Sequence, residues 1–151
     1  IPHLPNFSPE IVFALYLGMK CQKKFVYFNI LLMAMISDFL LGFGFGNWTA
    51  FTYSTLLAIG GVGIFIRKNG FGMLFIGSSC MLTLAYWVWT NFGTWLMTEL
   101  YPHTFSGFIA CYTLALPFLS NFLAASFAWC AIIMLCECCF SKTHQQLSHT
   151  N

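Results

Sequence analysis

A chain of 151 residues in which 59% are hydrophobic and 7% charged is not a water-soluble domain, because soluble folds carry charge at roughly a quarter of their positions. Its formal net charge of +2 is too small to mark a nucleic-acid binder, and the placement of the charges carries more information than their sum. At about 20 mostly apolar residues per bilayer span, the length is used up by one all-α membrane domain over residues 1–140, followed by a polar tail at 141–151.

The chain opens on Ile1 rather than Met, so a preceding signal or further helix is expected. IPHLPNFSP has three prolines and predicts a loop at a membrane surface. Asn6 or Ser8 is placed to cap the following helix, with Pro9 in its first turn. That helix, over residues 9–20, is short, about 18 Å at 1.5 Å per residue. Its Ala14 and Gly18 form a small-xxx-small pair suited to close helix packing. Lys20, Lys23 and Lys24 then make a basic turn.

Residues 25–44 form a span whose strongly polar pair is Ser37 and Asp38. GFGFG at 42–46 is a turn, and Trp48 stands where an interfacial aromatic belt places it. The next span, 48–66, is loosened by Gly60, Gly61 and Gly63, a cluster that reads as packing rather than nucleotide binding. Arg67 and Lys68 end it. The longest span, 71–97, carries Trp87, Asn91 and Trp95 at i, i+4 and i+8, one stripe of a helix. Residues 104–116 are apolar but number only 13, a length that suits a re-entrant or interfacial helix better than a crossing, and Pro117 is expected to end it. Ser120 or Asn121 then caps a last span over 122–140, and the tail beyond is expected to fray.

With five crossings and a re-entrant 104–116 segment, Lys20, Lys23, Lys24, Arg67, Lys68 and Lys142 all fall on one side, which the positive-inside rule makes cytoplasmic. The proline-rich start, the glycine turn and the region 97–121 then share the outer face.

Asp38 is the sharpest single residue. It lies in the outer half of its span, where a carboxylate costs about 2.5–3.5 kcal/mol on insertion scales and defaults to a functional reading. The alternative is a packing carboxyl bonded to a neighbouring helix. Asn91, flanked by Trp87 and Trp95, points either to an aromatic small-molecule pocket or to a belt plus one structural amide. Glu99, Tyr101, His103 and Tyr112 are candidates for a pocket lid. Seven cysteines lie mostly in apolar runs, where free Cys behaves as a small hydrophobe. Cys136, Cys138 and Cys139 cluster beside Lys142 and His144 without a paired C-x-x-C pattern, and His3 with His103 lacks a third ligand, so no metal or other cofactor is expected. The chain shows no nucleophile–base pairing, no phosphate-cradling loop and no H-E-x-x-H, so an enzyme is not expected.

Three blocks, PHLPNFSP from Pro2, SDFLLG from Ser37 and TNFGTWL…YPHTFSGFIACY…LPFLSN from Thr90, resemble a family of small uncharacterised bacterial membrane proteins known only as a domain of unknown function. Members of that family usually begin with one more hydrophobic helix, which the resemblance implies is missing here from a six-helix fold. The family in turn looks like the substrate-binding S components of energy-coupling-factor vitamin transporters, which hold a vitamin near the outer face under loops. The biotin-type pattern continues after its Pro-Phe-Leu turn with Gly, Asp and Lys, whereas Ser120 and Asn121 follow here, so the resemblance does not imply biotin.

The expected function is therefore the solute-binding subunit of a small-molecule transporter in the bacterial inner (plasma) membrane, with Asp38, Trp87, Asn91 and Trp95 lining the site and Asn6, Tyr101 and His103 closing it. Its expected partners are the lipid bilayer, the solute, a scaffold subunit and an ATPase module. The rival reading is a structural or assembly membrane protein with no ligand.

Overall fold

The computed structural model describes residues 7–42, 44–46 and 48–149, with side chains as far as Phe140. It is all-α: α1 (Glu10–Lys20), α2 (Lys23–Leu41), α3 (Thr49–Ile66), α4 (Met73–Met97) and α5 (Phe105–His149), with a single 3-10 turn (Arg67–Asn69) after α3. The Glu10 amide donates to Ser8 Oγ at 3.3 Å, so Ser8 supplies the expected start signal of α1. The other candidate cap, Asn6, lies outside the described residues. α2 stops at Gly42, whose φ of 74° is the left-handed conformation that lets its N–H turn back onto the Asp38 and Phe39 carbonyls.

The shortest helix sits at the centre. Ile11, Val12, Ala14 and Leu15 are all 2% exposed or less, and α1 touches each of the other four helices, α3 most extensively. It runs parallel to α3 at a separation that only glycine allows. A Cβ on Gly18 would strike the Gly60 carbonyl oxygen and lie 2.8 Å from the Gly63 Cα, and a Cβ on Gly63 would strike the Leu15 carbonyl oxygen. The small residues expected to mediate packing thus do so inside the bundle. Close backbone approach of this kind gives membrane helices their van der Waals cohesion, because lipid removes the hydrophobic drive between them.

Polar contacts gather at the far end of α1. Arg67 Nη2 donates to the carbonyls of Gly18 (2.7 Å) and Cys21 (2.9 Å), satisfying oxygens that the end of α1 leaves without helical partners. Lys20 pairs with Glu137 of α5, and Tyr16 Oη donates to the same carboxylate at 2.9 Å. Lys20, Lys23, Lys24, Arg67 and Lys68 therefore share one end of the bundle, and Lys142 follows Glu137 along α5 at that end.

The segment expected to dip and return is instead the first part of α5, which continues through Pro117 without ending there. A proline inside a helix removes one hydrogen bond and crowds the preceding turn, which costs about 3 kcal/mol in water. In membrane helices neighbouring helices and local hydroxyls compensate. Here Pro117 is exposed on the surface of the helix, and the turns before it are held along α4 by the Trp87–Ala115 and Tyr112–Val88 hydrogen bonds. The tail expected to fray also keeps helical backbone as far as His149.

Among the described residues four helices are long and apolar enough to cross a bilayer: Lys23–Leu41, Thr49–Asn69, Met73–Met97 and Phe105–Phe140. α1, expected as a fifth crossing, has 11 residues, short of the about 20 a crossing takes. The protein is an integral membrane helical bundle. Gly18→Ala is expected to lower its stability by about 1–3 kcal/mol, the usual range for overpacking. Gly77→Ala, where a Cβ meets open space, is expected to be neutral or stabilising. Unfolding titrations of the two variants in mixed micelles check the contrast.

Candidate functional site

The register of α1 on α3 creates a space at the other end. Gly18 lies against Gly60 and Gly63, so Glu10, eight positions earlier, is level with about residues 52–55 of α3 by the common rise of the two helices. The first turn of α3 therefore rises past the start of α1, and no helix among the described residues fills the volume above Glu10. A cavity of about 300 Å³ occupies it, bounded by the start of α1, the last turns of α2, the first turns of α3 and the middles of α4 and α5. Glu10, Asp38, Trp48, Tyr53, Tyr86 and Phe122 form much of its wall.

The two acids are held by hydroxyls. Ser37 Oγ donates to Glu10 Oε1 at 2.7 Å, and Tyr53 Oη donates to Asp38 Oδ2 at 2.7 Å. Both carboxylates are half-buried. Among the described residues the one ion pair is Lys20–Glu137, at the opposite end of α1, so neither cavity acid is neutralised by a described cation. Tyr86 is buried and meets Phe122 edge to face, centroids 5.5 Å apart at 66°. Asp38 bonds to a neighbouring helix through Tyr53 and also lines the cavity. It lies 15 residues from the start of α2, about 22 Å along the axis.

The tryptophan–asparagine stripe lies elsewhere. Trp87 is buried and its indole N–H donates to the Ala115 carbonyl at 3.1 Å. Asn91 Nδ2 donates to the Trp87 carbonyl one turn back along its own helix, at 2.7 Å. Trp95 Nε1 donates to the Pro102 carbonyl at 3.1 Å, and its ring meets Phe108 and His103 edge on. Tyr112 Oη donates to the Val88 carbonyl at 2.7 Å while its ring packs on Trp87. These side chains form a seam joining α4 to the first part of α5, with Thr83 and Ser126 sharing a buried 2.6 Å hydrogen bond further along it. None of Trp87, Asn91, Trp95, Tyr101 or His103 lines the cavity with Asp38. The reason is that residues 105–116 form a full antiparallel partner for α4, which a re-entrant segment would not have been. Asn6 lies outside the described residues, although its neighbours Phe7 and Ser8 line the cavity.

Sequence reasoning did not single out Glu10, Tyr53 or Tyr86, and read Trp48 only as part of a belt. A usable signal existed for Glu10: it is one of four acids in the chain, and it sits at the first position after a helix-starting proline. Among the described residues, no three His, Cys, Asp or Glu side chains converge as metal ligands would.

The profile of a family of unknown function (DUF6580) matches residues 1–147, nearly the whole chain. Comparisons with curated proteins and with solved structures gave no match.

Because the stripe is structural glue here, Trp87→Phe is expected to destabilise the α4–α5 seam by about 1 kcal/mol, the typical worth of one hydrogen bond. The same change is expected to leave binding to the cavity unaltered. Unfolding titration and ligand titration of the same preparation separate the two effects.

Proposed function

The chain belongs to the DUF6580 family, and from the cavity at the start of α1 we propose that it is a solute-capturing membrane protein. The supporting observation is that two half-buried carboxylates, Glu10 and Asp38, converge with aromatic rings on one space of about 300 Å³. Small-molecule sites have this character, a concave and mostly apolar wall with a few placed polar groups, usually at about 300–1,000 Å³. Intramembrane acids are costly and mark functional positions by default.

The basic end of the bundle faces the cytoplasm by the positive-inside rule. The cavity, at the opposite end, then takes its solute from the outer face. The four longer helices, starting from the basic turn at Lys23, bring the end of α5 back to the cytoplasmic side. The layout of a proline-rich start, a short helix, a basic turn and a glycine-ended helix is similar to the S components of vitamin transporters. In that arrangement this chain would be the binding subunit in a bacterial plasma membrane, and a membrane scaffold and an ATPase module would drive release. A second reading, an assembly protein without ligand, draws on the same Ser37–Glu10 and Tyr53–Asp38 bonds as helix fasteners.

Native mass spectrometry and thermal-shift screening against a metabolite library decide between these readings. Capture of a metabolite that Asp38→Asn weakens tenfold or more, and Trp95→Phe does not, supports solute binding in this cavity. A tenfold loss corresponds to about 1.4 kcal/mol, within reach of one hydrogen bond to a charged group. No bound metabolite across the library sinks the reading. For orientation, Lys68→Cys is expected to resist an impermeant maleimide in intact cells and Leu100→Cys to react. Both positions are exposed, and the reverse pattern inverts the topology.

A further inference from the structure

Resting on the reading of this cavity as a solute site, we infer that its ligand is a small organic ammonium ion. The chemistry of the wall carries the inference. Phe7, Trp48, Tyr53, Tyr86 and Phe122 bring five aromatic rings to the cavity alongside Glu10 and Asp38. A cation over an aromatic face is attracted by the ring quadrupole, most strongly where water is excluded, and aromatic cages recognise ammonium groups in this way.

Among the described residues each carboxylate holds a single hydroxyl on one oxygen. An ionised carboxylate has about four acceptor positions, so both have capacity left, and an ammonium group brings several N–H donors to fill it. The charge layout points the same way. All six lysines and arginines lie at the other end of the bundle, whereas Glu10 and Asp38 line the cavity and Glu99 stands at the α4–α5 turn on the same side. An anionic solute would meet two carboxylates with no described lysine or arginine to balance it. A bare metal ion fits poorly, because calcium takes about 6–8 oxygen ligands, and among the described residues no third His, Cys, Asp or Glu joins the two carboxylates. The volume, at the lower limit for ligand clefts, suits a single-ring primary amine and excludes nucleotides and large cofactors.

The test uses the full chain in lipid nanodiscs, titrated calorimetrically with phenethylamine, 3-phenylpropionate, 2-phenylethanol and calcium chloride. The first three share a phenyl ring on a short chain and differ chiefly in the charge of the terminal group. Phenethylamine is expected to bind at least tenfold more tightly than each of the others. Glu10→Gln and Asp38→Asn are each expected to weaken it tenfold or more, and Glu99→Gln to leave it unchanged. The ranking of probes on the unmodified protein does not depend on any variant folding. If 3-phenylpropionate, 2-phenylethanol or calcium binds as well as the amine, the ammonium inference fails while the solute site stands. If no probe binds, the charge of the metabolite captured in the library screen decides. A cationic amine supports the inference, a neutral or anionic metabolite overturns it, and an empty screen removes it together with the solute reading.

Discussion

Three glycines set the spacing on which the rest of this bundle depends. Gly18 of α1 and Gly60 and Gly63 of α3 bring two backbones to a distance that no side chain permits. At that distance an 11-residue helix, too short to be stable alone, becomes the buried axis of the protein. The contact also fixes the axial position of α1. Its lower end meets Arg67, which caps it, and Lys20 finds Glu137. Its upper end falls short of the first turn of α3, and the shortfall is the cavity. One packing contact therefore accounts both for the cohesion of the core and for the space within it.

The charged residues are few and sorted by position. Glu137 is the one acid at the basic end, and Lys20 and Tyr16 hold it. Glu10 of α1 and Asp38 of α2 face the cavity, bonded among the described residues to hydroxyls rather than to cations. An acid bonded to a hydroxyl and facing open volume retains acceptor capacity that an acid in an ion pair has spent. This difference in partners separates the cavity pair from Glu137 more clearly than depth in the bundle does.

The aromatic seam between α4 and α5 shows how a binding-site signature and a packing signature coincide. Trp87, Trp95 and Tyr112 each combine a large apolar body with one polar hydrogen, and each donates that hydrogen to a backbone carbonyl across or near the interface. Indole and phenol groups buried in a low-dielectric interior need such partners, and a neighbouring helix supplies them as readily as a ligand would. Asn91 satisfies its amide within its own helix. The distinction between glue and pocket lay in whether an antiparallel neighbour ran beside the stripe, and that turned on Pro117.

Much was legible from the residues alone. Composition and apolar run length identify a membrane helical bundle, since few charges and spans of about 20 apolar residues have no other stable arrangement. Lysine and arginine positions group the basic turns at one end, Gly42 ends α2, and Asp38 marks itself by its cost in lipid. The continuation of α5 through Pro117 was decided by tertiary contacts along α4, which override a local helix-breaking preference. Glu10 became visible as a cavity residue only through the register of α1 on α3. That register is a property of two surfaces meeting at Gly18, Gly60 and Gly63. Sequence spacing within either helix shows which face is small, but not at what height the faces meet or what volume they leave open.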